Sequence, residues 1–409
     1  MNYKNYIEKA LCAIAILIAM ALPCFQAEAQ SATPEQHPNA MRPDYTVSLI
    51  TCYPGSEIYE LCGHSAIRVR GEGIDSVWNY GIFDFSQPNF VYRFVKGETD
   101  YKGASYPFKW FLPEYVATGR KVVEQDINFT PEEARHMLEM LRTSVLPENA
   151  VYRYNYTKDN CSTRILSQID SASTEKIIYP DSARFGTYRN AMRAYHEGYP
   201  WYQFGIDVAL GSGLDEKIGT RQEMFVPMEL MQNASEAHFA DGRPLVKKTR
   251  VLNTGTDNAV LPPTPWWLGP IFWGWLLAVI IGLAVARNLI SGRLFLPLYL
   301  VWFFILALSG CLVAFLVFIS VHEATSPNLL ILWLNPFQIL FPIALYIRTL
   351  RPLARVMAYY NIVVPTFLIM GYPFYAQSFN PAFFPLLLAT VALSISYAII
   401  GDKSSYNKR

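Results

Sequence analysis

The last third of this chain limits its fold more than any other feature. Five apolar runs follow Pro265, at about 266–286, 294–320, 329–347, 356–374 and 383–400. Each is near the ~20 residues that cross about 30 Å of hydrocarbon at 1.5 Å per residue. From Pro265 to Asp402 the only charged side chains are Arg287, Arg293, Glu323, Arg348, Arg351, Arg355 and Asp402. The loops alternate in charge. Arg287 and Arg293 lie between the first two runs, and Arg348, Arg351 and Arg355 between the third and fourth, while Lys403, Lys408 and Arg409 follow the fifth. The loops around His322-Glu323 and Ser378-Phe379-Asn380 hold no Lys or Arg. Positive-inside counting puts the first set in the cytoplasm and everything before Trp266 on the other side.

The amino terminus agrees with that orientation. Lys4 and Lys9 precede an apolar run from Ala10 to Leu22, and Ala27-Glu28-Ala29 supplies an A-x-A site. This pattern predicts a secretory signal peptide over 1–29. An uncleaved anchor is the less favoured alternative, and so is lipidation at Cys24, because Pro23 stands where a small residue belongs. Composition narrows the function classes. Of the 409 residues only 16% are charged, and the net charge is +1. A wholly soluble enzyme is excluded, and no basic field exists to attract nucleic acid.

Residues 30–261 are long enough for one exported domain. Strands are predicted at 45–51, 64–70, 76–82, 90–94 and 121–127, with Gly and Pro between them. Thr130-Pro131-Glu132-Glu133 opens a helix, expected to reach about Val145, with a capping box and Pro in its first turn. Extended structure resumes at 151–156, and Asp159-Asn160 caps a helix that begins at Cys161. The stretch 195–230, rich in Gly and aromatics, yields no assignment. The linker ends at 262–265 with three prolines, the five-helix membrane domain occupies 266–402, and 403–409 forms a cytoplasmic tail.

Three thiols remain in the exported part: Cys52, Cys62 and Cys161. At the first turn of a helix, unpaired N–H groups and the helix dipole would stabilise a Cys161 thiolate. Taken alone, however, a free cysteine is more often a small buried hydrophobe. His64 changes the balance. It opens an alternating strand, a rigid place from which to present a base, and a base needs a third group to orient it. Asn79 on the following strand is favoured for that role over Asp84, and either could instead be a turn residue. A serine hydrolase is disfavoured because Ile67 occupies the second glycine of a G-x-S-x-G elbow. No cofactor or metal is expected, since Cys52, Cys62 and His64 lack a fourth ligand and a C-x-x-C spacing. A Cys52–Cys62 disulfide is the preferred pairing in an oxidising compartment.

The order His64, Asn79, Asn160-Cys161 resembles the circularly permuted papain-like enzymes, including the lecithin:retinol acyltransferase group. Several segments resemble, more specifically, the Lnb-type lipoprotein N-acyltransferase family. These are Pro54-Gly55, Gly63-His64-Ser65, Asn79-Tyr80-Gly81-Ile82-Phe83-Asp84-Phe85, Tyr152-Arg153-Tyr154-Asn155-Tyr156 and Asp159-Asn160-Cys161-Ser162-Thr163-Arg164, with Leu334-Asn335-Pro336 in the membrane part. Cys62 departs from the pattern, standing where a bulky aromatic is expected.

The resemblance implies an α+β permuted papain-like (NlpC-type) periplasmic domain followed by an all-α five-helix transmembrane domain, in a bacterial inner membrane. It implies transfer of an acyl chain from a phospholipid donor to the N-terminal cysteine amine of a lipoprotein acceptor. Cys161 would be the nucleophile, His64 the base and Asn79 its orienter, with Asp84, Asn160 and His322 as possible support. One alternative is a cell-wall amidase or peptidase using the same Cys–His site. The other is a membrane-anchored assembly factor in which Cys161 is merely packed.

Overall fold

The computed structural model describes residues 44–404, apart from positions 87, 182, 257 and 258. The expected signal peptide and most of the expected tail lie outside the described residues.

Among the described residues, seven strands form one antiparallel sheet, in the spatial order Val151–Arg153, Asp100–Pro107, Ile74–Ile82, His64–Gly71, Thr46–Cys52, Val122–Ile127 and Val246–Asn253. In chain order the first elements are β1 (Thr46–Cys52), β2 (His64–Gly71), β3 (Ile74–Ile82), helix α1 (Phe90–Lys96), β4 (Asp100–Pro107) and helix α2 (Phe108–Ala117). There follow β5 (Val122–Ile127), α3 (Pro131–Ser144), β6 (Val151–Arg153), α4 (Cys161–Ala172) and the two-residue β7 (Ile177–Ile178). Next come α5 (Tyr188–Tyr195), α6 (Pro200–Ala209), the single turn α7 (Thr220–Glu223) and α8 (Pro227–Glu236). The two-residue β8 (His238–Phe239) pairs with β7, and β9 (Val246–Asn253) closes the domain at the sheet edge.

Alternation along the strands assigns the two faces. Leu49, Ile67, Val69, Trp78 and Tyr80 point to one side, where α3 and α4 cover them with Met137, Leu141, Ile165 and Ile169. On the other side Ile50, Ala66 and Val77 pack under Phe108, Phe111 and Tyr115 of α2. The far end of this second face is charged. There the Arg68 guanidinium lies 3.4 Å over the Phe108 ring and pairs with Asp75 at 2.7 Å and Glu124 at 3.2 Å. The helix at 131 has the expected cap: Thr130 Oγ1 accepts from the Glu133 N–H, and Glu133 accepts from the Thr130 N–H.

One expected strand is a helix. The run Phe90-Val91-Tyr92-Arg93-Phe94 has strand-like composition, yet it coils into α1. Gly97, left-handed at φ 82°, terminates it, and neighbouring chain caps its carbonyls. The Val321 N–H donates to Lys96 O at 2.8 Å, and the Ser320 hydroxyl donates to Val95 O at 3.0 Å. Tertiary hydrogen bonds therefore override a weak β preference.

Five segments are long and apolar enough to span a membrane, among the described residues. They are α9 (Pro270–Ser291), α10 (Leu296–Phe318), a third span over Leu329–Tyr346 that contains α11 (Leu340–Tyr346), then α12 (Arg351–Met370) and α13 (Phe383–Ser404). The third span is not one continuous helix. It breaks at Asn335-Pro336, where the backbone is extended (φ −139°, ψ 154°). The carbonyls released by the break find side-chain donors: Gln338 donates to Trp333 O at 2.9 Å, and Asn335 and Tyr360 donate to Leu332 O. Gln338 and Asn361 exchange two amide hydrogen bonds of 2.8 and 2.9 Å. Non-helical backbone at membrane depth is tolerated where such groups satisfy it. Gly310 of α10 admits the break, because a Cβ there would fall 2.3 Å from the Asn335 carbonyl carbon.

The extramembrane domain is clasped to the membrane part through α5 and α6. Arg189, fully buried, donates to Asp207 at 2.7 Å, to Asp215 at 2.9 Å and to Gly211 O at 2.7 Å. Asn380, just before α13, donates to the other Asp207 oxygen at 2.9 Å. Arg193 reaches Ser378, and the Gly211 N–H donates to Ala324 O at 2.7 Å. Replacing Arg189 with Leu removes the charge that Asp207 and Asp215 share and leaves Asp207 only Arg193 at 3.2 Å and Asn380, so we expect a loss of about 3 kcal/mol. Thermal unfolding of the detergent-solubilised variant against wild type measures it.

Candidate active site

His64 begins β2 directly after Gly63, whose φ of +81° and close approach to Cys52 O (2.6 Å from a built Cβ) exclude a side chain there. Ala66 pairs with Asn79 across the β2–β3 ladder. Residues two apart on a strand share a face, as do residues paired across a ladder, so His64 and Asn79 are diagonal neighbours. The contact is made: His64 Nε2 meets Asn79 Oδ1 at 2.5 Å. Asn79 Nδ2 donates to the Tyr106 hydroxyl on β4 at 3.0 Å, which fixes the amide with its oxygen toward the ring. With Nε2 donating to Asn79, Nδ1 is the ring nitrogen left for the Cys161 thiol, whose charge interacts with the ring.

Cys161 reaches His64 from the other side of the sheet. Ser65, pointing opposite to His64, has its hydroxyl 3.1 Å from that of Ser162, and this docks the start of α4 against β2. Asn160 builds the turn. Its Oδ1 accepts from the Ser162 and Thr163 N–H groups at 2.8 and 2.9 Å, and its Nδ2 donates to Tyr156 O and Phe225 O. Both ends of that side chain are thus occupied in holding the helix start. The N–H of Cys161 belongs to the first turn, which has no intrahelical acceptor. Gly81 (φ +87°) and a register shift after Asn79 let β3 pass close by: a Cβ built at Gly81 would lie 4.0 Å from Cys161 Cβ and 3.6 Å from the Tyr154 ring.

The electrostatics favour charge separation. Burial pushes the Cys161 thiol up, but the His64 charge and hydrogen bond, the Ser65 N–H and the Ser162 hydroxyl outweigh it, and the net direction is down. Burial pushes His64 down, and the thiolate and Asn79 more than reverse this, so the imidazole rises. A thiol that falls beside an imidazole that rises is the arrangement that a nucleophile with an acid–base partner requires.

The other thiols differ. Cys52 and Cys62 are free, so the expected disulfide is absent from the structure. Cys52 sits opposite His64 in the β1–β2 ladder, fully buried, and burial drives its thiol far up. Cys62 lies 3.2 Å from the Tyr156 hydroxyl and 3.9 Å from His196 Nε2, and burial pushes it to about 11.

Two residues considered for support lie elsewhere. Asp84 is exposed and accepts from the N–H and hydroxyl of Ser86 at 2.8 and 2.7 Å, an Asx turn. His322 donates from Nε2 to Phe94 O at 2.8 Å and so serves α1. Tyr106 and Tyr154 were missed by sequence reasoning. Tyr106 sits on a strand whose register no short motif reveals, whereas Tyr154 lay inside a segment already singled out.

The chain matches the Lnb N-terminal periplasmic domain over residues 33–194 and the Lnb transmembrane domain over 263–405. No curated protein and no solved structure matches it. The first match spans six of the seven sheet strands, all but β9, with the His64–Asn79 pair and the start of α4, and the second spans all five apolar segments. With both domains matched in that order over most of its length, this multi-pass membrane protein belongs to the Lnb family.

Proposed function

We propose that this chain is a lipoprotein N-acyltransferase of the outer face of the inner membrane, working through a thioester on Cys161. The observation that carries the reading is the Cys161–His64–Asn79 constellation, shifted toward a thiolate–imidazolium pair, in a domain fixed to membrane-spanning helices.

Cys161 Sγ attacks an ester carbonyl of a phospholipid, and the oxyanion is met by the Cys161 N–H at the positive end of α4. As the C–O bond breaks, His64 gives its proton to the departing glycerol oxygen, which leaves as a lysophospholipid. The lipoprotein's N-terminal amine then attacks the thioester, and His64 takes the proton that the amine loses. The amide forms, and the thiolate–imidazolium pair is restored. Asn79, held by Tyr106, keeps Nδ1 toward sulfur in both halves.

The test uses the full chain in phospholipid vesicles with a synthetic diacylated lipopeptide whose cysteine amine is free. The expected product is heavier by one acyl chain, which stays on the amine when hydroxylamine strips the two ester-linked chains, and an amine-blocked lipopeptide gives none. Cleavage of soluble muropeptides without any lipopeptide acylation would instead establish the wall-hydrolase reading.

A further inference from the structure

A band of exposed apolar side chains runs from the top of a membrane span to the thiol. Helix α1 presents Val91, Tyr92 and Phe94 to the outside, with Val91 73% exposed. Beside it Ile58 and Tyr59 protrude from a short turn, and Phe85 from the loop after β3. Isolated exposed apolar residues need no explanation, but a contiguous set does.

One of them touches a membrane span. Tyr92 packs on Phe315 of α10, with ring centres 6.0 Å apart. Phe315 lies three residues before the end of that span at Phe318, which at 1.5 Å per residue is roughly 4–5 Å below the helix end. Helix α1 therefore sits at the depth where the span leaves hydrocarbon. The exit of α10 is itself apolar and exposed: Phe318 is 75% exposed, and Ile319 and Val321 continue the surface. Ser320, Val321 and His322 all donate to carbonyls of α1, so the two surfaces form one rigid platform.

From α1 an aromatic ladder leads inward. Phe94 stacks on Phe90 with centres 6.0 Å apart, and Phe90 lies 6.1 Å from Phe83. Phe83 meets Tyr101 at 5.1 Å, and Tyr101 stacks on Tyr154 at 4.3 Å. The Tyr154 ring and the Cys161 Cβ flank the same point beside Gly81. The ladder is thus a continuous apolar track between the membrane surface and the nucleophile.

We propose that α1 and the Ile58–Tyr59 turn are sunk in the outer leaflet, and that a phospholipid acyl chain passes along the ring ladder to reach Cys161. The docking half stands on the structure alone, and the chain-path half rests on the acyltransferase reading. A side chain in apolar lipid contact gains burial without any protein partner, which is why these residues are exposed in the protein and yet aromatic or aliphatic.

The experiment has two arms. In the first, photoreactive benzoylphenylalanine is installed at position 91, and in a control at the exposed helix position 139, in the full chain reconstituted in phosphatidylethanolamine-containing nanodiscs. Irradiation is expected to give phospholipid adducts at 91 and not at 139, and equal or no adducts at 91 would overturn the docking. In the second arm, acyl transfer from bilayer phospholipid is compared with acylation of Cys161 by a water-soluble short-chain nitrophenyl ester. The pair Val91→Ser and Tyr92→Ser should slow the bilayer reaction about 10-fold or more and leave the ester reaction unchanged, because only the former needs the platform. Phe83→Ala should narrow the preference for long over short acyl donors by about 10-fold. An unchanged bilayer rate in the double variant, or an unchanged chain-length preference in Phe83→Ala, overturns the path. If wild type transfers no acyl chain from phospholipid while position 91 still crosslinks to lipid, the acyltransferase reading fails and the membrane platform survives.

Discussion

Cells whose only copy of this protein carries Cys161→Ala are expected to accumulate lipoproteins that keep two ester-linked chains and lack the amide-linked one. The effect should be at or near complete. Removing a nucleophile whose partners act as a unit costs on the order of 10³-fold or more, because the base and the orienter have nothing left to activate. The substitution removes one sulfur from a buried position, and the bonds that hold the start of α4 do not pass through it. Asn160 still caps α4 through the Ser162 and Thr163 N–H groups, and Ser162 still meets Ser65. Mass spectrometry of lipoprotein N-terminal peptides reads the result. Unchanged amide acylation, with no second enzyme supplying it, would remove Cys161 from the mechanism. The same alanine variant should leave the thermal unfolding temperature close to wild type, which separates a lost nucleophile from a lost fold.

The second large effect belongs to His64. His64→Gln preserves a hydrogen-bonding side chain beside Asn79 but holds no proton for the departing alcohol, and a drop of roughly 10²–10⁴-fold in acyl transfer is expected. The pH dependence identifies the cause. In wild type the thiol lies below its ordinary value and the imidazole above its own, and both shifts favour the charged pair. Activity rises as pH climbs through the lowered thiol value and falls as pH climbs through the raised imidazole value, where the general acid is lost. In the glutamine variant the falling limb should vanish. The thiol also loses its main charge partner, so alkylation of Cys161 by iodoacetamide should require a higher pH than in wild type. Cys62, held up at about 11 by burial, serves as the slow internal reference in the same digest. If Cys161 alkylates at the same pH in both proteins, the imidazole does not set its reactivity. Asn79→Ala is the milder companion. It acts through His64 and should move the alkaline limb toward lower pH, because the hydrogen bond that favours the charged ring is gone.

Much of this arrangement is legible in the chain itself, for reasons that can be named. Local periodicity shows that 64–70 and 76–82 are strands, and a capping pattern shows that helices begin near 131 and 161. Two antiparallel neighbours joined by a short turn must bring His64 and Asn79 near one another, whatever the rest of the fold does. What periodicity cannot supply is register with strands distant in sequence, and so Tyr106 of β4 was invisible as the support of Asn79. Nor does it weigh Asn79 against Asp84. Asp84 stands two positions past the end of β3, with only Phe83 between, and there its carboxylate closes a turn on Ser86 instead.

The errors share a cause. Phe90–Phe94 has strand-like residues, but α1 exists because Ser320, Val321 and His322, more than two hundred residues away, cap its last turn. The third span reads as one apolar run, but it breaks at Asn335-Pro336, because Gly310, Gln338 and Tyr360 give the freed backbone room and partners. Cys52 and Cys62 look like a pair, and the fold instead sets one opposite His64 and the other against Tyr156. The sequence by itself determined the hydrophobic ledger: which segments enter a membrane, which side each loop prefers, where strands alternate and where helices start. Those properties depend on transfer free energies and on backbone groups a few residues apart. Tertiary structure alone decided which polar group meets which, since a hydrogen bond is fixed within a few tenths of an ångström and its partner is set by the packing of the whole chain.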